Sequence, residues 1–344
     1  MIDIFGTLGP ACADADTLEQ MIRRGMTGVR LNLSHVTLVE SAAWVEALHE
    51  AALRCGAEVK LLIDLQGPEL RIDALKAPIE LCEGETVAFG PDGIPVAPAI
   101  RAALKPEQTV LLDDGRLLLR MRADGRADVL RGGTLHSRKS IALPGVALSL
   151  PALTEADLSN LAEAKRYAVT GVMQPFVRSR EDLEEVRAAL RAAGAEDLQL
   201  YAKIENLAGL EQLSEIAPEA DEIVIARGDL GNAVPLWDLP GVQKRIASAC
   251  RAAYRPFMVV TQMLASMEHS PVPTRAEVSD VFNAVLDGAT SVMVTGETAV
   301  GEYPVETIMY LTETVQAAER YLGIGGSVIQ KAGALRCARF FYVL

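Results

Sequence analysis

Short apolar runs, each flanked by turn residues and separated by amphipathic stretches, recur along most of the chain. Runs this short with turn signals at both ends read as buried strands, and the stretches between them have helical periodicity. Strands are predicted near 2–6, 28–33, 59–64, 171–177, 199–204, 222–227, 257–262 and 291–295. Leu18, Met21 and Ile22 form the apolar stripe of a first helix, with Asp14 or Asp16 as N-cap and Gly25 just past its end. A second helix is predicted over 38–54, and Thr154 caps another that carries Glu155 and Asp157 in its first turn. Eight strands alternating with helices predict an α/β fold, a closed (β/α)8 TIM barrel. The pattern changes after the third strand. From Asp73 to Lys139 the segments are short and β-like, with turns at EGE, PDG, DDG, ADG and RGG, and the clearest hairpin turns at Asp113, Asp114 and Gly115. The chain therefore divides into a barrel over 1–72 and 140–323 and a small all-β domain over 73–139 inserted after strand 3. The tail 324–344 is too short to be a domain.

Composition narrows the class. The chain has 344 residues, half of them hydrophobic, so it can bury a large core. A formal charge of −13 argues against nucleic acid or an anionic membrane as the main partner. The five cysteines show no CxxC or metal-ligand spacing, which points to a reducing cytoplasm. The N-terminus is expected to carry no signal peptide, and no apolar run in the sequence approaches the ~20 residues of a membrane span. Trp44 and Trp237 are expected to pack helices and loops.

The candidate chemistry lies between Leu200 and Asp229. Strand side chains alternate faces, so Lys203 and Glu205 share one, and Asp229 follows the end of the next strand. A lysine with two carboxylates on neighbouring strand ends can hold a divalent cation and a phosphoryl group together. The same spacing also suits a surface salt bridge. On the second strand Arg30, Asn32 and Ser34 share a face opposite Leu31 and Leu33, a polar triplet suited to lining a pocket.

Eight segments then carry a resemblance: GTLGPA (Gly6–Ala11), VRLNLSH (Val29–His35), IDLQGPELR (Ile63–Arg71), KIEN (Lys203–Asn206), ARGDLG (Ala226–Gly231), VVTQMLASM (Val259–Met267), PTRAEVSDVFNAVLDGA (Pro273–Ala289) and TGETAVGEYP (Thr295–Pro304). In this order they resemble the signature segments of the pyruvate kinase family, over about residues 4–320. The resemblance implies phosphoryl transfer from phosphoenolpyruvate to ADP, giving pyruvate and ATP. Glu205 and Asp229 would bind Mg²⁺ or Mn²⁺, Lys203 would stabilise the moving phosphoryl group, and Arg30 would be a second cation there. Asn32, Ser34 and Asp64 match the side chains that hold K⁺. Thr261, with the backbone of Gly228 and Asp229, matches the substrate-carboxylate site, and Thr295 and Glu297 match a polar pair near the enolate face. Arg71, Lys139, Pro10 and His35 match nucleotide-side positions. Asp113 resembles a lid aspartate that reaches towards the arginine matched by Arg30, which would make the inserted domain a lid over the phosphates. A homodimer through the barrel is implied by the segment from Pro273 to Ala289.

The pattern also departs from the family. Leu65 and Gln66 stand where K⁺-dependent members have Thr and Lys, while Glu69 keeps the carboxylate that K⁺-independent members replace with Lys. Val36 replaces a glycine, and Gln174-Pro175-Phe176 replaces Ala-Ser-Phe. The C-terminal regulatory domain is expected to be absent, and with it a sugar-phosphate site. Two other readings compete with the kinase: a metal-dependent lyase or aldolase acting on pyruvate enolates, and a non-catalytic phosphoenolpyruvate-binding relative. Arg71 and Lys139 on the nucleotide side count against the first, and the full set of metal and phosphate ligands counts against the second.

Overall fold

The computed structural model describes residues 2–323 other than 35, 114 and 147–149. The tail 324–344 and His35 therefore lie outside the described residues. In chain order the strands are β1 (Asp3–Leu8), β2 (Gly28–Asn32), β3 (Lys60–Asp64), β4 (Ile79–Leu81), β5 (Thr86–Ala88), β6 (Thr109–Leu112), β7 (Leu117–Met121), β8 (Arg126–Arg131), β9 (Gly133–Leu135), β10 (Ile141–Ala142), β11 (Gly171–Gln174), β12 (Gln199–Ile204), β13 (Glu222–Ala226), β14 (Phe257–Val260) and β15 (Ser291–Met293). The helices are α1 (Ala15–Arg23), α2 (Ala42–Cys55), α3 (Pro98–Ala103), α4 (Glu155–Glu163), α5 (Arg180–Ala192), α6 (Leu207–Glu211), α7 (Leu213–Ile216), α8 (Arg227–Ala233), α9 (Leu239–Ala252), α10 (Arg275–Leu286), α11 (Gly296–Ala299) and α12 (Pro304–Leu322).

Strands β1, β2, β3, β11, β12, β13, β14 and β15 pair in parallel and close on themselves, since β1 pairs with both β2 and β15. Helices alternate with the barrel strands along the chain, and α1, α4 and α10 start as their caps dictate. Asp14, not Asp16, caps α1 by accepting from the Thr17 amide at 2.9 Å. Thr154 with Asp157 and Thr274 with Glu277 form reciprocal capping boxes on α4 and α10. Inward-facing Phe5, Leu62, Met173, Tyr201, Val224, Met258 and Met293 form the apolar plug of the barrel. Gly28 lies where a Cβ would fall 2.3 Å from the Phe5 ring, so the ring needs glycine there. Two residues further along their strands, on the same inward face, stand Arg30, Asp64 and Lys203. The alternation therefore puts a charged layer directly above an apolar one.

Three barrel strands end sooner than the apolar runs suggest, and β13 gives way to helix. β11 stops at Gln174 and Phe176 adopts φ +53°; β14 stops at Val260, and Thr261 and Gln262 adopt φ +81° and +54°. Arg227, expected at the end of a strand, instead opens α8. The second helix starts at Ala42 rather than near 38, after a turn over 37–41. At β11 and β14 the backbone leaves the sheet at the rim of the barrel, where the hydrogen bonds of Phe176 with Glu205 and of Arg227 with Thr261 override strand propensity.

Between β3 and β11 the chain builds a five-stranded sheet, order β10-β6-β7-β8-β5, and a two-stranded one, β4-β9. They share a separate core around Ile94, Val110, Leu112, Leu119 and Val129. This segment is not all β, because Pro98 starts the six-residue helix α3. The chain leaves and re-enters the barrel side by side: Arg71 and Ser140 form an antiparallel bridge, and the amides of Ile72 and Ile141 bond the carbonyls of Lys139 and Leu70. At the tip of the β6–β7 hairpin Gly115, φ +77°, approaches Asn232 of α8 so closely that a Cβ would sit 2.6 Å from its Oδ1.

Candidate functional site

The charged layer opens into a polar cavity of about 140 Å³ lined by Arg30, Asn32, Ser34, Asp64, Arg71, Lys203 and Asp229, among others. Asp64 is its electrostatic centre. It is 2% exposed, accepts from Arg30 Nε at 2.8 Å, and has Oδ2 2.7 Å from Arg30 Nη2 and 3.2 Å from Lys203 Nζ. Two cations thus converge on one buried carboxylate. Burial works against the Lys203 ammonium, but Asp64 and Glu205 outweigh it and hold its pKa above the ordinary lysine value. The lysine stays charged at neutral pH.

Glu205 continues the inward face of β12 past its end. Its Oε1 accepts the Phe176 amide at 2.7 Å, whereas Oε2 is buried with no hydrogen-bond partner and 3.6 Å from Lys203 Nζ. Burial pushes its pKa up to about 8, partly offset by Lys203, and Asp229 raises it further. An orphaned buried oxygen beside a second carboxylate fits a hard divalent cation, which takes oxygen ligands. Among the described residues no three His, Cys, Asp or Glu groups form a metal cluster. A cation here would take its remaining ligands from substrate and water, the habit of Mg²⁺.

Asn32 Oδ1 accepts the Ser34 amide at 3.2 Å, so the pair forms a local turn whose oxygens border the cavity. Glu69 is held by Arg71 through Nε at 3.0 Å and Nη2 at 2.6 Å, and Arg71 also donates to the Arg138 carbonyl. Thr261 packs against Gly228, where a Cβ would lie 3.1 Å from its Cγ2.

Other sequence-predicted residues stand elsewhere. Asp113 was expected to reach towards Arg30; instead it pairs with Lys139 at 2.7 Å inside the inserted segment, and Arg30 is held by Asp64. Pro10 lies in an exposed turn. Thr295 and Glu297 line neither this cavity nor the neighbouring one. Glu297 is 1% exposed, and its oxygens accept the amides of Leu264 (3.1 Å) and Thr295 (2.6 Å). Its carboxylate braces the loop after β14 against the start of α11. Trp237 is exposed, not packed, beside exposed Leu236.

The structure adds residues that sequence reasoning missed. Arg227 is the main one. It donates to the Thr261 carbonyl at 3.1 and 2.8 Å and to that of Gln262 at 3.2 Å, and pairs with Asp280 of α10 at 2.6 Å. It thereby holds two non-glycine residues in left-handed backbone. Buried Asp157 accepts the amides of Gln66 and Gly67 at 2.7 and 3.0 Å and so fixes the turn after β3. A capping-box spacing hinted at the helix role of Asp157; no sequence signal marked its second one.

A larger, mostly apolar cavity of about 380 Å³ adjoins the polar one, between the inserted segment and the barrel, and the two share Glu69, Phe176 and Asp229 as walls.

A family model of the pyruvate kinase barrel domain matches residues 1–308. A pyruvate kinase of Geobacillus stearothermophilus is 38% identical over 334 residues, 93% of this chain and 57% of that protein. One of Methylorubrum extorquens is 38% identical over 92% of this chain and 68% of its own length. For one of Aeropyrum pernix the figures are 35%, 93% and 71%. The chain spans 57% of the length of the Geobacillus relative, a little more than half.

Proposed function

Since the chain belongs to the pyruvate kinase family, we propose that it moves the phosphoryl group of phosphoenolpyruvate to ADP, giving pyruvate and ATP. The observation that carries this reading is the convergence of Arg30 and Lys203 on Asp64 beside the orphaned oxygen of Glu205. Phosphoryl transfer asks little covalent work of a protein, but it needs positive charge placed around the moving group. Lys203, kept charged by its carboxylate neighbours, stabilises the phosphoryl group in flight, and Arg30 orients it. Glu205 and Asp229 would hold Mg²⁺ or Mn²⁺, which supplies Lewis acidity to substrate oxygens. Thr261 and the amides of Gly228 and Asp229 orient the substrate carboxylate. After transfer the enolate carbon takes a proton, and we assign the Thr261 hydroxyl with a water to that delivery.

Asn32, Ser34 and Asp64 offer hard oxygens for K⁺. By the family resemblance we assign the nucleotide side to Arg71, which lines the polar cavity, with Lys139 and Pro10. Residues 73–139 act as a lid whose hairpin tip rests on Asn232 and excludes water from the transfer. Their ten cationic side chains (Lys76, Arg101, Lys105, Arg116, Arg120, Arg122, Arg126, Arg131, Arg138, Lys139) balance ten carboxylates, so the whole net charge of −13 sits on the rest of the chain. Anionic substrates therefore meet a segment without net charge at the cleft rather than the −13 of the remaining chain. The segment Pro273–Ala289, which carries α10, is the one the resemblance assigns to a homodimer through the barrel. Among the described residues no helix is long and apolar enough to cross a membrane, and the reading places the protein in the cytoplasm.

Pyruvate formation from phosphoenolpyruvate and ADP with Mg²⁺, followed by coupled reduction of the product, tests the reading. It predicts turnover that stops when EDTA is added; release of pyruvate without ADP, or none in any divalent metal, contradicts it.

A further inference from the structure

Glu205 is gripped by one peptide plane, and that plane is fixed from both sides. The peptide joins Pro175 to Phe176. Its N–H donates to Glu205 Oε1 at 2.7 Å, and its C=O accepts from Gln174 Nε2 at 3.2 Å. Gln174 is 1% exposed and is itself anchored, because the same Nε2 donates to the Ala152 carbonyl at 2.8 Å. The proline ring fixes φ at residue 175 and packs over Gly67, where a Cβ would lie 2.5 Å from Pro175 Cγ. Gly67 is held in turn through its amide by Asp157. Phe176 sits at φ +53°, a conformation that costs a non-glycine residue roughly 1–2 kcal/mol and persists only where its surroundings impose it.

A brace of this kind has a consequence for a carboxylate with two unlike oxygens. With one lone pair of Oε1 committed to the Phe176 amide, Oε2 is the oxygen wholly open to a ligand, and it is buried without a hydrogen-bond partner. We propose that Gln174 and Pro175 are positioning residues that fix the Pro175–Phe176 peptide, so that Glu205 meets a divalent cation through Oε2 alone. This rests on the reading of Glu205 as a metal ligand. A free carboxylate would rotate between one- and two-oxygen binding; the fixed peptide selects one geometry in advance. Outer groups that orient a ligand typically change metal affinity by about 10–100-fold.

Mn²⁺ binding to the full chain without substrate, counted from the electron paramagnetic resonance of the free ion, tests this. Gln174→Met removes the donor to the Pro175 carbonyl at nearly constant volume. Pro175→Ala frees φ while keeping every hydrogen-bonding atom, so it folds even where Gln174→Met does not. Both are expected to bind Mn²⁺ about tenfold more weakly than wild type. Thr307→Val, a buried change on distant α12, is expected to lower the melting temperature and leave Mn²⁺ affinity unchanged. Affinity within twofold of wild type in the folded positioning variants overturns the inference, as does an equal loss in Thr307→Val. Glu205→Gln is the separate arm. If it binds Mn²⁺ as wild type does, the metal site itself is misassigned; if it fails to bind while Gln174→Met and Pro175→Ala bind normally, only the positioning role falls.

Discussion

Lys203 Nζ stands 3.6 Å from Glu205 Oε2, beyond hydrogen-bonding reach, so a buried carboxylate oxygen faces a cation that it does not bond. Burial raises the pKa of Glu205 from an ordinary 4.5 to about 8. Between those values the folded protein retains a proton that the unfolded chain has already lost. Stability therefore falls as pH rises through this window and is level above it. Divalent cations bind the deprotonated form, so their stabilisation grows up to about pH 8. Melting temperatures from about pH 5 to about pH 9, with and without Mg²⁺, check this. The expected gap widens up to about pH 8 and then levels, and it vanishes in Glu205→Gln.

Arg227 holds the left-handed Thr261–Gln262 pair through both carbonyls. Lysine cannot reproduce that fork. Arg227→Lys is expected to cost about 1–3 kcal/mol, read mainly as a KM for phosphoenolpyruvate raised by about 5- to 150-fold with kcat changed less. An unchanged KM would show that Thr261 needs no clamp.

K⁺ is expected to activate more than tetramethylammonium at matched ionic strength, though only modestly. Glu69 leaves no lysine at that position, and the Arg71 guanidinium is occupied with Glu69 itself. Equal rates in the two salts would remove Asn32, Ser34 and Asp64 from the role of a K⁺ site.

The barrel was legible because alternation in a strand is a short-range rule. Lys203 and Glu205 share a face whatever surrounds them, and the starts of β2, β3, β11 and β12 follow from where apolar runs begin. The ends were not legible. Phe176, Thr261 and Gln262 have ordinary strand propensities, and their left-handed backbones depend on partners such as Glu205 and Arg227 that are distant in sequence. For the same reason the bracing bonds of Glu297 were not legible, and Asp113, read as reaching towards Arg30, is held by Lys139. Charge and spacing identify which side chains are polar and inward. Which of two nearby cations a carboxylate pairs with is decided by tertiary geometry.

Removing the Glu297 brace should act on the fold. Its two backbone donors, from Leu264 and Thr295, would be left unpaired, so Glu297→Ala is expected to lower unfolding free energy by about 2–5 kcal/mol in denaturant titration. A variant of wild-type stability that has lost activity would return Glu297 to the chemistry.

The central claim is that Lys203 serves the moving phosphoryl group, while Glu205 and Asp229 serve the enolate. Lys203→Met keeps the stem and removes the charge. Phosphoryl transfer to ADP is expected to fall about a thousandfold or more, equivalent to roughly 4 kcal/mol. The deciding measurement is exchange of pyruvate methyl protons in D₂O by this variant, with Mg²⁺ and a phosphate analogue present, set against its transfer rate. Exchange that persists at a measurable fraction of wild type while transfer collapses is the predicted result. Loss of both together, or survival of transfer, would contradict the placement of Lys203 at the phosphoryl group.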